Sequence, residues 1–380
     1  MMRMKLLLTQ ANLTLMGGAE RVLLKIAQHY NAKIYTAEYD KKSTFPEFSD
    51  LDVEVIGKPV ITKILPYGRV MQGLNYGLSF YNLKISEDYD VINAHMAPSH
   101  WARHKNERVI WYCHTPLRDI YDLYQYRLSL KKTYQKPVHI LGAKGVRKID
   151  KRVVRDIEFI FANSSNTESR IRKYYGREDA EVLNGGIDYK QYKNLGDGKY
   201  FFYPSRISQN KRQEYAIRAF SIFKRKTKGY KLVLSGAVSK DDFYASYYNR
   251  IKEEAKKVGD VQIIENPSDS KQRSLFAHSS AVLYTPINED YGLVPLEAMA
   301  SGKPVISVNE GGPRDTIING KTGFLVNDET EMAAKMQMLA ENPQLSKDLG
   351  KEGIERVKNR YSWDRFFKIF DKRVRQVAKL

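Results

Sequence analysis

Short apolar runs alternate with helical patterns along almost the whole chain. Residues 5–10 read as a buried strand, Gly17-Gly18-Ala19-Glu20 as a turn, and residues 21–29 as a helix. Further short strands are predicted at 33–36, 53–56, 91–94, 109–112 and 159–163. Each is a continuous apolar run bounded by polar or turn residues, as expected of parallel strands covered on both faces. The pattern breaks at Leu183-Asn184-Gly185-Gly186-Ile187-Asp188 and the polar stretch up to Lys199, then restarts. Strands are predicted at 201–204, 231–235, 261–264, 281–285 and 304–308, with helices at 213–225, 242–257, 270–278 and 296–301. Two doubly wound α/β domains follow, residues 1–195 and 196–362. The tail from Glu329 is mostly helical. Ser362 is a candidate N-cap for a last helix over 363–380, which carries Phe366, Phe367, Ile369 and Phe370 as an apolar face.

A length of 380 residues suits two domains of ordinary size, and 42% hydrophobic residues fill two cores. The single cysteine, Cys113, excludes an intrachain disulfide framework and leaves too little sulfur for a thiolate zinc site. Residues 1–10 lack a signal-peptide core, and no run of ~18 apolar residues occurs. A cytosolic location, or a peripheral one on the cytosolic face of a membrane, is expected. The net charge of +19 points to nucleic acid, an anionic membrane or polyphosphate substrates. Between 131 and 155, Lys131, Lys132, Lys136, Lys144, Arg147, Lys148, Lys151, Arg152 and Arg155 face one acid, Asp150. Tyr121, Tyr124, Tyr126, Leu128 and Leu130 precede them, a mixture suited to anionic lipid. An RNA binder would show stacking platforms or a known basic motif. Neither is evident, so no nucleic acid is expected, and a basic nucleic-acid-binding protein stands as the alternative from another class.

The stretch Glu289-Asp290-Tyr291-Gly292-Leu293-Val294-Pro295-Leu296-Glu297 carries the chemistry. Pro295 is expected at the first position of a helix that Gly302 and Lys303-Pro304 stop. The amides of Gly292, Leu293 and Val294 would then lie at a helix N-terminus, an anion site. The flanking carboxylates suit hydroxyls of a sugar and a ribose, and a nucleotide sugar offers both around one diphosphate. Arg206 and Lys211, in Pro204-Ser205-Arg206-Ile207-Ser208-Gln209-Asn210-Lys211, follow the first strand of the second domain. Open α/β sheets bind ligands at that end, and two cations there stabilise a departing diphosphate.

The nine-residue stretch resembles the Glu-x7-Glu signature of retaining glycosyltransferases with the GT-B fold, the group 1 glycosyltransferases, although the family usually reads Glu-Pro-Phe-Gly or Glu-Gly-Phe-Gly where this chain has Glu-Asp-Tyr-Gly. The resemblance covers most of the chain and is sharpest over 206–323. It implies two Rossmann-like domains facing across a cleft, the first for the acceptor and the second for the nucleotide sugar, with the last helix crossing back to the first. It implies that Arg206 and Lys211 hold the diphosphate, Glu289 the transferred sugar and Glu297 the ribose. Gly17 and Gly18 match the family's first loop, which lines the cleft near the donor phosphates. Ile264 and Asn266, at the end of a strand on the same edge, are placed to meet the base. Gly311-Gly312-Pro313-Arg314-Asp315 resembles a loop that usually carries Glu at the Asp315 position and reads as structural.

His114, in Trp111-Tyr112-Cys113-His114-Thr115-Pro116, resembles the His-Thr-Pro segment of mannosyltransferase-like enzymes, together with Arg118 and Tyr121-Asp122, and would contact the donor sugar. His95 also ends a strand and could face the acceptor. The resemblance implies transfer of a hexose with retention, with no cofactor and no metal. Asp50-Leu51-Asp52 and Asp88-Tyr89-Asp90 precede strands, away from the ligand edge, and read as surface acids. The His-Thr-Pro segment leans towards GDP-mannose, with UDP-glucose, UDP-galactose and UDP-N-acetylglucosamine as alternatives. The basic segment leans towards a lipid-linked acceptor, with a polysaccharide end or a small molecule as alternatives. A phosphorylase of the same architecture needs a pyridoxal-phosphate lysine and a longer chain. A non-hydrolysing sugar epimerase would lack the Glu pair with its Gly-Leu-Val turn.

Overall fold

The computed structural model describes residues 4–57, 69–129, 131–238 and 242–379. Leu130 of the tyrosine-rich stretch lies outside them. The chain forms two compact units, Met1–Gly185 with Phe367–Leu380, and Gly186–Phe366.

The first unit holds seven parallel strands: β1 (Leu6–Gln10), β2 (Lys33–Thr36), β3 (Val53–Val55), β4 (Val91–Ala94), β5 (Val109–Cys113), β6 (Phe159–Ala162) and β7 (Glu181–Val182). Their order is β3-β2-β1-β4-β5-β6-β7. The helices of this unit are α1 (Gly18–Tyr30), α2 (Arg69–Asn82), α3 (Tyr124–Ser129), α4 (Lys136–Asp156) and α5 (Ser165–Tyr175). All residues of β1, β4 and β5 are buried, as expected of strands covered on both faces, and the polar ones among them, Thr9, Gln10 and Asn93, lie towards the carboxyl ends. Ser164 caps α5 by accepting from the Thr167 amide at 3.0 Å, and Gly176 ends it in the left-handed region at φ 68°.

The second unit holds six parallel strands: β8 (Tyr200–Pro204), β9 (Lys231–Gly236), β10 (Val261–Glu265), β11 (Ala281–Tyr284), β12 (Val305–Val308) and β13 (Gly323–Val326). Their order is β10-β9-β8-β11-β12-β13. Around them run α6 (Gln213–Lys226), α7 (Asp242–Val258), α8 (Asp269–His278), α9 (Leu293–Ala300), α10 (Pro313–Thr316), α11 (Glu329–Glu341) and α12 (Pro343–Arg360). The last helix, α13 (Trp363–Ala378), begins in this unit after Ser362, whose hydroxyl accepts from the Arg365 amide at 3.4 Å. From Phe367 onward it belongs to the first unit: Phe367 stacks on His29 at 3.8 Å, Phe370 packs on Phe161, and Arg373 pairs with Glu181 at 2.7 Å.

In each sheet the chain builds outward in one direction, then returns to the other side of its first strand. The reversal falls between β1 and β4, and between β8 and β11. At such a switch point the loops leaving the two strands diverge and open a crevice at the carboxyl edge.

Two expectations need correcting. The helix of the Glu-x7-Glu stretch starts at Leu293, so Pro295 is its third residue rather than its first. Gly292 is the N-cap at φ 85°, ψ 92°, a conformation that glycine adopts without strain. Proline is tolerated at the third position because the first four helical amides have no internal partner. Strand β13 was not foreseen: Gly323-Phe324-Leu325-Val326 is a four-residue run at a sheet edge that opens on a glycine, a residue with little preference for strands.

Helix α9 ends as anticipated. The Gly302 amide donates to the Met299 carbonyl and the Lys303 amide to the Ala298 carbonyl, both at 2.9 Å, and Gly302 takes φ 65°. This double bond is a Schellman cap. Helix α12 lies tightly over it, because a Cβ on Gly350 would sit 2.2 Å from the Gly302 carbonyl oxygen. Gly350→Ala is therefore expected to destabilise the protein by about 1–3 kcal/mol and lower its melting temperature in thermal denaturation. Lys351→Ala, on the exposed side of α12, should shift stability by less than about 0.5 kcal/mol.

Candidate functional site

In the second unit the sequence candidates gather at the carboxyl edge on either side of the switch point. The loop after β8 is pinned by backbone: the Ile207 amide donates to the Ala237 carbonyl at 3.0 Å, and buried Gln213 donates to the Arg206 carbonyl at 2.9 Å. Arg206 itself is exposed, and its guanidinium has no partner among the described residues. Lys211 closes a 3-10 turn (Gln209–Lys211), and its ammonium donates to the Glu289 carboxylate on the loop after β11. Both side chains keep 20% of their surface exposed. An ammonium has three donors, so the bond to Glu289 leaves two for another acceptor.

Glu289 also meets Tyr284, a buried phenol whose ionisation is pushed far upward by burial, then by the Glu289 charge. Tyr284 thus remains a neutral donor to the carboxylate. The backbone of Glu289 is held by the loop after β12: the Gly312 amide donates to its carbonyl at 2.8 Å. A Cβ on Gly311 would lie 2.4 Å from the same oxygen, and Gly311 takes φ 60°. The Gly311-Gly312 loop therefore supports Glu289, in line with a structural reading.

Gly292, Leu293 and Val294 form the N-cap and first two residues of α9. Pro295 carries no amide hydrogen, so the first turn presents the amides of Leu293 and Val294. Glu297, one turn on, accepts from the Tyr192 hydroxyl at 3.0 Å. Ile264 lies near the end of β10 and Asn266 directly follows it, two strands away from the switch point. The Asn266 amide donates to the Gly236 carbonyl at 3.0 Å, and its side-chain oxygen accepts from the Val238 amide at 3.3 Å.

Two residues of this edge escaped the sequence reading. Arg212, at φ 54°, donates to the carbonyls of Thr285 (2.6 Å) and Pro286 (3.1 Å) and to the Glu310 carboxylate (3.0 Å). Glu310 also accepts from the Asn288 amide at 3.1 Å. The only signal available was Arg212's place directly after Lys211, and a chain rich in cations hides it.

In the first unit the switch-point loop after β1 ends at Gly17, the N-cap of α1. A Cβ there would come within 2.4 Å of the Glu20 carboxylate and 2.8 Å of Leu15. Glu20 is fully buried and accepts from Gln10 at 3.2 Å, so Gly17 makes room for a carboxylate inside the first turn. Gly18 opens the helix and is exposed.

His114 follows β5 and His95 follows the neighbouring β4. Their rings are joined, His95 Nδ1 to His114 Nε2, at 3.0 Å. Asn93 sets the direction of this chain. Its side-chain amide donates to the Ile110 carbonyl at 3.2 Å, which leaves its oxygen to face His95 Nε2 at 2.8 Å. His95 Nε2 must then carry the proton and Nδ1 the lone pair. His114 Nε2–H donates to that lone pair, so His114 Nδ1 is left as an acceptor. Both rings are neutral: burial drives His114 down to about 3, and burial, then the His114 charge, drives His95 well below its usual value. The placement of His95 corrects an expectation. Its side chain is wholly buried behind His114, so it orients that ring and does not itself face an acceptor.

The two Asp-x-Asp triplets precede β3 and β4, at the amino edge. Asp90 accepts from the Lys5 amide at 2.7 Å, and Asp50 and Asp52 are exposed. Among the described residues no group of three or more His, Cys, Asp or Glu is placed to hold a metal.

The neutral histidines make stability depend on pH. A folded-state value below the unfolded one gives stability that is complete above about pH 6.5 and is lost as pH falls towards about 3. Between pH 7 and pH 5, urea unfolding of His114→Gln should show a loss of stability smaller than that of the parent by about 2 kcal/mol.

Residues 16–191 match the model of Glycosyltransferase Family 4, and residues 187–356 that of Glycosyl transferases group 1. The chain is 30% identical to alpha-1,3/1,6-mannosyltransferase ALG2 of Mus musculus, over 92% of this chain and 91% of the mouse protein. It is 27% identical to the Homo sapiens protein of the same name, with the same shares of each covered. Sucrose-phosphate synthase from Thermosynechococcus elongatus superposes with a TM-score of 0.76 at 16% identity, covering 99% of both chains. Anabaena HepE in complex with UDP superposes with a TM-score of 0.74 at 18% identity, covering 98% of this chain and 100% of that one. With these matches spanning both units, the chain belongs to the GT-B glycosyltransferases, within the group 1 family.

Proposed function

We propose that this glycosyltransferase moves mannose from GDP-mannose to a hydroxyl of a lipid-linked glycan, with retention of anomeric configuration and without a metal. The observation that carries the reading is the Lys211–Glu289 bond between the two loops flanking the second switch point, with the helix-start amides of Leu293 and Val294 on the same loop. Mannose is supported by the mouse and human relatives, both named alpha-1,3/1,6-mannosyltransferases.

In this reading Arg206 and Lys211 receive the diphosphate, and the amides of Leu293 and Val294 add the positive end of α9. Glu289 does two tasks. It fixes the Lys211 ammonium, and it accepts a hydroxyl of the transferred sugar. Glu297 accepts from the ribose hydroxyls, and Ile264 and Asn266 flank the base. On the first unit, His114 offers its Nδ1 lone pair to a sugar hydroxyl. A neutral ring suits that task, because a protonated one would offer no acceptor and would repel a forming cation.

The reaction then runs on the front face. The bond from the anomeric carbon to the phosphate oxygen breaks, and charge builds on the diphosphate, where Arg206 and Lys211 hold it. The acceptor oxygen bonds to the same face of the short-lived cation, and its proton passes to the leaving phosphate oxygen. No side chain has to act as a nucleophile.

Released GDP or UDP, measured over a panel of nucleotide sugars without acceptor, tests the donor. GDP from GDP-mannose alone is the expected result. Lys211→Ala should lower turnover about 100- to 1,000-fold, as removal of one donor to developing charge does elsewhere. Glu297→Ala should weaken donor binding with a smaller effect on turnover, since the ribose bonds change little along the reaction. Release of UDP instead would overturn GDP-mannose as the donor, and full activity in Lys211→Ala would overturn the assignment of the site.

A further inference from the structure

We infer that Tyr284 is a positioning residue of the donor site: its buried hydroxyl holds the Glu289 carboxylate in place, so that the Lys211 ammonium keeps its remaining N–H groups for the diphosphate. Tyr284 ends β11 and is 2% exposed. Tyr203, on the neighbouring strand β8, is fully buried. Side chains alternate along a strand, and these two tyrosines point to opposite faces of the sheet. Tyr203 packs among residues of α6 and α11, and Tyr284 among residues of α8 and α9. Their hydroxyls meet the same pair of loops from the two sides. Tyr203 donates to the Lys211 carbonyl and accepts from the Thr285 hydroxyl at 3.1 Å. Tyr284 donates to the Glu289 carboxylate. One phenol therefore fixes the backbone of the lysine, and the other fixes the side chain of the glutamate that pairs with it.

Tyr284 lies beneath the helix start that faces the diphosphate. A Cβ on Gly292 would come 3.1 Å from the Tyr284 ring and 3.4 Å from its hydroxyl, so this hydroxyl reaches under the residue that caps α9. The Lys211 ammonium is 5.9 Å from the centre of the same ring. A tyrosine buried for packing alone can give its hydroxyl to a backbone carbonyl, as Tyr203 and Tyr200 do. Tyr284 instead turns its hydroxyl to a carboxylate that is itself bound to a cation. A carboxylate has about four acceptor sites. Lys211 takes one on Oε2 and Tyr284 takes another, which leaves capacity for a sugar hydroxyl. Without the phenol, the carboxylate would turn towards a second N–H of Lys211 and draw the ammonium off the diphosphate. Such a shift costs most where charge develops, so it falls on turnover rather than on donor binding. Glu289 keeps 20% of its side chain exposed, so water can fill the lone pair that the phenol leaves and the edge stays folded.

The inference rests on the reading of Lys211 and Glu289 as donor-site residues, and the test separates the two. Nucleoside diphosphate release is measured from GDP-mannose, or from the nucleotide sugar that the donor panel selects, for Tyr284→Phe, Tyr203→Phe, Glu289→Gln and the double variant Tyr284→Phe/Glu289→Gln. Thermal denaturation of each variant accompanies it. Tyr284→Phe should lower kcat roughly 10- to 100-fold, the effect of a misplaced group beside the reacting atoms. Its KM for the donor should change less than about threefold, because the lost interaction matters in the transition state. Its melting temperature should move by no more than a few degrees. In the Glu289→Gln background the same change should lower kcat by less than about threefold, since Tyr284 acts through that carboxylate. Equal losses in both backgrounds would overturn the inference, as would a Tyr284→Phe kcat equal to the parent's. A loss as large in Tyr203→Phe would also overturn it, by marking a general loosening of the edge. Full activity in Lys211→Ala would overturn the donor-site reading itself. An inactive Lys211→Ala beside a fully active Tyr284→Phe would overturn this inference alone.

Discussion

The guanidinium of Arg212 ties together three loops that no strand connects at their tips. It donates from Nε to the Thr285 carbonyl and from one terminal nitrogen to both the Pro286 carbonyl and the Glu310 carboxylate. Its own backbone sits at φ 54°, which turns the chain from the loop after β8 into α6. The Thr285 hydroxyl closes the loop of contacts by donating towards the Lys211 and Arg212 carbonyls at 3.1 and 2.9 Å. Parallel strands bring the loops to one edge, but edges alone leave loop tips free to wander. Here the distance from Lys211 to Glu289 is set by backbone atoms that Arg212 locks. A lysine could not replace it, since one ammonium lacks the planar fork that reaches two carbonyls and a carboxylate together.

The alternation of short apolar runs with helical patterns revealed the two parallel sheets because every central strand is buried on both faces. Strand order was not legible. The reversals beside β1 and β8 come from packing of crossover helices, and nothing local marks which neighbour a strand takes. Pro295 misled by two residues. Its preference for a first helical position is real, but Gly292 at φ 85° begins the helix earlier, and a proline in the first turn sacrifices no internal bond. The Glu pair, Arg206, Lys211 and His114 were visible because their spacing is local to single loops. Arg212, Glu310 and the link from His95 to His114 were not, because each depends on which strands lie side by side.

Helix α4 is fixed in place by one buried carboxylate. Its inner face carries Asp150, fully buried, which accepts from His100 (2.9 Å), Trp101 (2.7 Å), Tyr121 (2.9 Å) and Tyr175 (2.8 Å). Burial by itself would raise this carboxyl, but bonds from His100, Trp101 and Tyr175 outweigh it and hold it ionised. A buried carboxylate is tolerable only when its lone pairs are filled, and here four donors fill them. They come from the segment after β4, the loop that follows His114 and the end of α5, so Asp150 anchors α4 to three parts of the first unit. That anchoring allows the opposite face of α4 to expose Val138, Leu141, Lys144 and Lys148 without losing its place.

Net charge becomes informative only after geometry divides it. Of the 63 lysines and arginines, many lie in ion pairs, such as Arg373 with Glu181 and Lys224 with Asp260, which hold elements together and offer nothing to a ligand. Lys303 is buried, with its ammonium on the Asn194 side chain and the Gly196 carbonyl, and burial lowers it to about 8. Arg206 and Lys211 differ from these: they sit at a carboxyl edge, one without a partner among the described residues and one half-committed, so both keep donors for a compact polyanion. Lys144, Lys148 and Lys151 lie in a row on one helix, spread over roughly 10 Å of its axis, and so present no convergent set of donors. The spacing of the charges, rather than their number, therefore separates a candidate diphosphate site from a merely basic surface.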